Sequence, residues 1–362
     1  MSLLNTRGRV RPTRILAALA TTLVTALVAS GCASGDADPA APTPQQSQSD
    51  APRASSGGVA LPAGEGTTSY PLTLASPFGE TAVAQRPERV AVISAATVDT
   101  DALLALGVVP VLAPSTIERN PWLDETLTAG IEERWSSSAA DEVSAEQVAA
   151  VDPDLIVAMD AYDMTPQRFE QLSAIAPVLY AESEALTWQE MTREVGEVLD
   201  LSEAADGVVD DAEQRISAAA AAHPEFAGHS AAHVVVYEEQ YGAAYDSTPG
   251  SDSAALLEAL GFTLPDAAAQ FGEDDVVSQE LVGSIEADFL LVSLVGTEDH
   301  AYFIESPLLR SVPAFAEGRA VVNEAGEDGT NSFAWGLRQQ SALSAPWLVE
   351  TLADFGSQAV DQ

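Results

Sequence analysis

The chain has no lysine, and its 362 residues include a single cysteine, four histidines and only 6% aromatic residues. Each shortage excludes something. Fifteen arginines face 55 aspartates and glutamates, a formal net charge of −40, so a phosphate backbone is a poor partner and no nucleic-acid role is expected. One cysteine cannot close a disulfide within the chain, which leaves the apolar core to stabilise the fold. Three catalytic signatures are missing: the Gly-x-Ser-x-Gly elbow, His-Glu-x-x-His, and the phosphate-cradling Gly-x-x-x-x-Gly-Lys. The apolar stretch Ile15 to Val28, interrupted by Thr21, Thr22 and Thr25, is shorter than the roughly 18 residues of a bilayer span.

That stretch follows Arg7, Arg9, Arg11 and Arg14 and ends in small residues, the architecture of a secretory signal. Val28-Ala29-Ser30-Gly31-Cys32 resembles the bacterial lipoprotein signal, in which the cysteine is acylated and becomes the first residue. Ala29 stands where that signal most often has leucine, and an ordinary signal with an incidental cysteine is the other reading. Residues 1–31 are expected to be the signal and Cys32 the lipid attachment point. Residues 32–69, rich in Ala, Pro, Ser, Gln, Gly and Asp, are expected to form a disordered tether. About 36 flexible residues reach on the order of 30 to 35 Å.

From Tyr70 onward, short apolar runs alternate with helical patterns. Strands are expected at Val90 to Ser94, Val108 to Leu112, Leu155 to Met159, Val178 to Tyr180, His233 to Tyr237, Asp288 to Val292 and Arg319 to Val322. Helices are expected at Val98 to Leu106, after Ser144, from Thr165 with Pro166 at its first position, and from Thr187 with Glu190 completing a capping box. Others run over Ala254 to Leu260, after Ser306-Pro307, and over Ser341 to Asp354. The longest pattern places Leu201, Ala205, Val208, Ala212, Ile216 and Ala219 three or four apart and ends before Pro224.

The halves repeat one another. Val143-Ser144-Ala145-Glu146-Gln147-Val148 followed by Asp154-Leu155-Ile156-Val157 recurs as Val277-Ser278-Gln279-Glu280-Leu281-Val282 followed by Asp288-Phe289-Leu290-Leu291. Ala102 to Gly107 is echoed by Leu256 to Gly261. The expected fold class is α/β: two similar lobes of mostly parallel sheet flanked by helices, joined by one long rigid helix. The boundaries are 70–200 for the N-terminal lobe, 201–223 for the connecting helix and 224–362 for the C-terminal lobe.

Pro87-Glu88-Arg89-Val90-Ala91-Val92, Asp152-Pro153-Asp154-Leu155-Ile156-Val157 and Gln171-Leu172-Ser173-Ala174-Ile175-Ala176-Pro177-Val178 resemble substrate-binding proteins of iron-siderophore ABC importers. Thr187-Trp188-Gln189-Glu190 and Ala222 to Gly228 are similar to actinobacterial members. The resemblance spans Tyr70 to Leu352. It implies a monomeric carrier, not an enzyme, that captures a ferric siderophore in a ligand cleft between the lobes, with haem or cobalamin as alternative ligands, and delivers it to a permease dimer. The iron would be held by the siderophore, with no protein metal site or cofactor.

In that family, glutamates placed as Glu146 and Glu280 are, one per lobe, pair with arginines of the two permease subunits. An acid near a helix start is also favoured by the helix dipole alone. Ligands of such sheets sit at strand carboxyl ends. That nominates Tyr162, Tyr237, Tyr241, Tyr245, Tyr302 and Trp335, each of which could equally be a packed aromatic. Arg338 and Arg119 are the candidate cations, with surface ion pairs the alternative. With so few cations, a neutral or cationic hydroxamate complex fits better than a trianionic tris-catecholate. His223, His229 and His233 lack the spacing of a zinc site. Asp99 with Asp101, or Asp274 with Asp275, reads as solvated charge. A lipid-anchored exported enzyme and a purely adhesive lipoprotein are the other classes.

Overall fold

A computed structural model describes residues 61–137, 142–161, 164–182, 186–272 and 276–360. Cys32 and Tyr162 lie outside the described residues. In chain order the elements are β1 (Leu72–Ser76), β2 (Gly79–Val83), β3 (Val90–Val92), α1 (Val98–Ala105), β4 (Leu112–Pro114), α2 (Glu125–Thr128), β5 (Glu133–Trp135) and α3 (Ala145–Ala150). They continue with β6 (Leu155–Ala158), α4 (Pro166–Ser173), β7 (Val178–Tyr180), α5 (Trp188–Val198) and the long α6 (Ser202–Ala222). The second half holds β8 (Ala231–Val236), β9 (Ala243–Tyr245), α7 (Asp252–Ala259), β10 (Phe289–Leu294), α8 (Ala301–Ile304), α9 (Pro307–Arg310), α10 (Pro313–Ala316), β11 (Ala320–Asn323), α11 (Ser332–Arg338) and α12 (Ser344–Val360).

Two sheets form two lobes. The first, in the order β5-β4-β3-β6-β7, is parallel throughout; the second, β11-β10-β8-β9, is parallel except for β9. Strand residues alternate between two buried layers, because successive side chains point to opposite faces. Val90, Val92, Leu155 and Val157 join Leu103 and Val195 on one face, while Ala91, Ile156 and Ala158 join Val148, Phe169 and Leu172 on the other. The C-terminal lobe repeats this, with Val234 and Leu290 on one face and Phe289, Leu291 and Leu352 on the other. Helices on both sides therefore explain why the strands read as continuous apolar runs.

The connecting helix spans both cores. Ala205 is buried in the first lobe, Val209 and Ala212 are buried with Trp188 and Ala342 at the junction, and Ile216 and Ala219 rest on the second core. It lies so close to α5 that a β-carbon at Gly196 would come 2.4 Å from that of Ala205. The described residues all belong to one compact unit.

Several local expectations hold. Thr187 and Glu190 make both bonds of the capping box, Ser144 with Gln147 makes another, and Pro166 opens α4. The strand expected at Val108 to Leu112 is shifted to Leu112–Pro114, although the Val111 amide donates to Val90 O at 2.8 Å. Residues 61–69, expected to belong to the tether, contact the folded body. The backbone amides of Gly66, Thr67 and Thr68 donate to the Asp200 carboxylate at 2.8 to 2.9 Å, and Leu61 packs on the first core. Glu65 accepts from the amides of Glu203 and Ala204, satisfying donors at the start of α6. A carboxylate fixes the polar part of this segment.

Candidate ligand-binding site

Parallel strands deliver their loops to one end of each sheet, and the candidate residues follow them there. In the C-terminal lobe the loops after β10 and β11 are tied together. Gly296 N donates to Gly329 O at 2.9 Å, and the buried Asn331 side chain donates to Leu294 O at 3.0 Å and Asn323 O at 3.2 Å. Gly329 has φ +80°, and a β-carbon there would lie 2.8 Å from the Gly296 backbone, so only glycine fits. Asn331 also caps α11 by accepting from Ala334 N.

Arg119, Trp335 and Arg338 are placed along one edge where the lobes meet. Arg119 ends a short 3-10 turn, Ser115–Arg119, in the N-terminal lobe. Its guanidinium pairs with Asp328 at 3.2 Å, and its carbonyl accepts from Ser332 Oγ at 2.9 Å, both in the other lobe. Ser332, Trp335 and Arg338 recur every third residue of α11 and so share a side of it. Trp335 is 41% exposed, unusual for an indole, and the Arg338 guanidinium lies 6.0 Å from its ring centroid.

Behind Arg338 is a buried polar array. Arg338 Nε donates to Asp246 Oδ1; Asp246 Oδ2 lies 2.9 Å from His233 Nδ1; and His233 Nε2 lies 2.9 Å from Ser293 Oγ. Ser253 Oγ is also 3.0 Å from His233 Nδ1. Burial raises the Asp246 carboxyl, but His233 and Arg338 together hold it below the ordinary carboxylate range. Ser293, His233 and Asp246 have the connectivity of a nucleophilic triad, yet Ser293 and His233 are both 0% exposed, so a substrate has no surface to approach.

The tyrosines divide. The Tyr302 hydroxyl donates to Tyr237 O at 2.9 Å; burial, with Glu239 and Glu298 nearby, pushes it up to about 12. Tyr241 is 64% exposed at the β8–β9 turn. These three border an acidic lip. Tyr245 does not belong with them: it is 1% exposed, stacked on Phe271 with centroids 4.3 Å apart, and is a core residue of β9 rather than a ligand contact. The histidines also diverge. His223 stacks on Phe226 beside Glu225, His229 approaches Asp288, and His233 is buried in the array. Among the described residues, no group of three His, Cys, Asp or Glu side chains is placed to hold a metal ion.

Two residues that sequence reasoning set aside as solvated charge are buried: Asp99 at 0% and Asp101 at 1%. Asp99 accepts from Ser94 Oγ and Met159 N, fixing the loops after β3 and β6. Asp101 accepts from Trp122 Nε1 at 2.8 Å and, across the lobes, from Ser341 Oγ at 2.7 Å. Burial pushes the first up to about 6 and the second to about 7. Trp122 also packs on Trp347 of the opposite lobe, with ring centroids 5.5 Å apart. A cavity of about 580 Å³ beside this junction is lined by Trp122, Val208, Arg215, Trp347 and Glu350. It lies against α6, and none of the ligand candidates lines it.

Glu146, the second residue of α3, is exposed, as is Glu280. The repeat holds at the buried positions, Val143 and Val148 matching Val277 and Val282. It fails at the cap: Ser278 opens a turn into the 3-10 segment Val282–Ile285 instead of capping an α-helix. Glu146 lies in the first turn of α3, and Glu280 lies in the turn that leads into the 3-10 segment. Among the described residues, no helix is long and apolar enough to cross a membrane.

A family model described as periplasmic binding protein matches residues 90–324. The chain is 25% identical over 265 residues to the Escherichia coli ferric enterobactin-binding periplasmic protein FepB, covering 68% of this chain and 81% of that one. It is 30% identical over 131 residues to a probable siderophore-binding lipoprotein, YfiY, of Bacillus subtilis, covering 36% and 39% respectively. The structure of Streptococcus pneumoniae PiaA in complex with ferrichrome superposes with a TM-score of 0.62 at 25% identity, covering 80% of this chain and 98% of PiaA. With two α/β lobes on one helix, and a family match running from the first strand of one sheet to the last strand of the other, the chain belongs to the periplasmic binding protein family.

Proposed function

We propose that this protein is the extracytoplasmic substrate-binding component of an ABC importer for ferric siderophores, anchored at Cys32 and acting by capture and delivery without chemistry. The observation that carries this reading is the edge formed by Arg119, Trp335 and Arg338, where loops of two lobes meet at the strand carboxyl ends. An exposed indole beside a guanidinium suits a compact chelate with a flat, partly apolar shell and carbonyl-type acceptors.

Charge narrows the ligand. Glu238, Glu239, Glu298, Glu327 and Asp328 lie on the same loops as the candidate aromatics, and both arginines at the lobe boundary already hold a carboxylate. A neutral or cationic hydroxamate or mixed chelate enters such a site with less repulsion than a trianionic tris-catecholate. The names of the relatives cover more than one siderophore, so this preference rests on the chain's own residues.

Delivery uses Glu146 and Glu280, one exposed acid on each lobe, facing a permease dimer of matching pseudo-twofold symmetry. With α6 packed against both cores and Asp101 bonded to Ser341, the lobes are expected to move little on binding, and scattering curves with and without ligand should nearly superimpose. A thermal melt against ferric hydroxamates, ferric catecholates, haem and cobalamin tests the ligand class, and no shift with any siderophore would remove it. Glu146→Ala with Glu280→Ala is expected to leave affinity unchanged and abolish import; normal uptake by the double variant would remove the docking role.

A further inference from the structure

The cavity of about 580 Å³ beside α6 is lined by none of the siderophore candidates, yet all three parts of the fold build it. Ala204, Gly207, Asp211 and Arg215 recur at helical spacing along one side of the connecting helix; Trp122 comes from the N-terminal lobe and Trp347 from the C-terminal lobe. Both indoles are half-buried and pack together, with ring centroids 5.5 Å apart. Gly207 is the unexpected member. It lies inside a 21-residue helix, where glycine is less stable than alanine, and no neighbour demands it: a β-carbon there would meet nothing of the rest of the fold within 4 Å. A bare α-carbon at this position keeps the helix side of the cavity open.

Charge names the occupant. The charged side chains lining the cavity are Asp211, Arg215 and Glu350. Arg215 pairs with Glu350 at 3.1 Å, so those two largely cancel, whereas Asp211 has no hydrogen-bond or ion-pair partner among the described residues. We propose that this cavity is a second small-molecule site, for an organic monocation with a flat apolar body: the body packs on Trp122 and Trp347, and the cation faces Asp211. Indole faces attract cations as well as apolar surface, and a volume of this order is that of a small-ligand site. A neutral molecule of the same shape forgoes the attraction of Asp211, and an anion meets the excess negative charge. An occupant in contact with α6 and both lobes braces them, so its binding also stabilises the fold by mass action.

The test is a tryptophan-fluorescence titration of the full mature chain at pH 7 with three probes of one shape: phenethylammonium, neutral 2-phenylethanol and the anion 3-phenylpropanoate. None is a siderophore, so the outcome is independent of what the cleft between the lobes takes. Phenethylammonium should bind saturably with a Kd of about 1 mM or tighter, at least about fivefold tighter than the other two, and should raise the Tm. Gly207→Leu fills the cavity and should abolish binding, with circular dichroism verifying the fold. Asp211→Asn, at an exposed position that needs no repacking, should reduce the cation to the affinity of the neutral probe. No saturable binding of phenethylammonium, or equal affinity for the three probes, would overturn the assignment. Cation binding unchanged in Asp211→Asn or in folded Gly207→Leu would overturn it as well, the probe then lying elsewhere on this acidic surface.

Discussion

The two lobes meet the same requirement, a buried carboxylate that fixes the loops near the cleft, in opposite ways. In the N-terminal lobe α1 starts a few residues after β3, and Asp99 and Asp101 enter the interior with hydroxyl, indole and amide donors and, among the described residues, no cation as a hydrogen-bond partner. Burial dominates, and both carboxyls are pushed up, to about 6 and about 7. In the C-terminal lobe β9 is inserted between β8 and α7, and the residue after it, Asp246, meets His233 and Arg338 and is held low. A donor-only environment tolerates a carboxyl that takes up a proton, whereas an ion-paired one demands the charge. Only the second leaves a guanidinium at the cleft.

The largest expected effect is on the ion-paired side. His233→Leu leaves the buried Asp246, Ser253 and Ser293 without their shared partner, and should lower stability by about 3 kcal/mol, read from the urea midpoint at pH 7. An unchanged midpoint would mean that the array contributes nothing to the fold. Asp200→Ala removes the acceptor of three backbone amides at residues 66 to 68, and should expose the Leu61 to Ser69 segment to limited proteolysis while the rest of the body stays resistant. Protection equal to wild type would mean that Asp200 is not what holds that segment.

The pH dependences of the lobes should run in opposite directions. Asp101 has its folded value raised to about 7, above the unfolded carboxyl near 4, so folding favours its protonated form. Its penalty is absent below about pH 4, grows between there and about pH 7, and is constant above. Asp101→Asn, which keeps an acceptor for Trp122 and Ser341, should therefore gain on the order of 1 kcal/mol at pH 8 and nothing at pH 4. Asp246 is lowered, so its contribution is present above the unfolded carboxyl value and is lost as pH falls through the folded one. A stability difference between Asp101→Asn and wild type that does not change with pH would break the contrast. The smallest effect is Glu65→Ala, which removes an acceptor from the start of α6 and should cost about 0.5 to 1 kcal/mol.

What could be read in advance was local or repetitive. The α6 stripe, the caps of α3, α4 and α5, and the paired Asp154-Leu155 and Asp288-Phe289 strand starts all depend on residues a few positions apart. The chain reads less well where a distant group decides. Residues 61–69 resemble a linker because Asp200, far along the chain, supplies what holds them. Ala243-Ala244-Tyr245 is buried at every position, so β9 shows no alternation, and Tyr245 could be taken for a loop aromatic. Asp99 and Asp101 look like ordinary acidic surface until Ser341 and Met159 arrive from elsewhere. At the site, residue types marked Trp335, Arg338 and Arg119 as candidates, but not their carboxylate partners, which lie 92 positions away for Arg338 and on the other lobe for Arg119.

The central claim, capture of a ferric chelate between the lobes at Trp335 and Arg338, is tested most directly by equilibrium binding of a neutral ferric tris-hydroxamate to the mature chain and to Trp335→Ala. The account predicts one site per chain with micromolar or tighter affinity, weakened at least about tenfold in Trp335→Ala, the loss expected when a stacking indole is truncated. No saturable binding, or equal affinity in the two proteins, would contradict it.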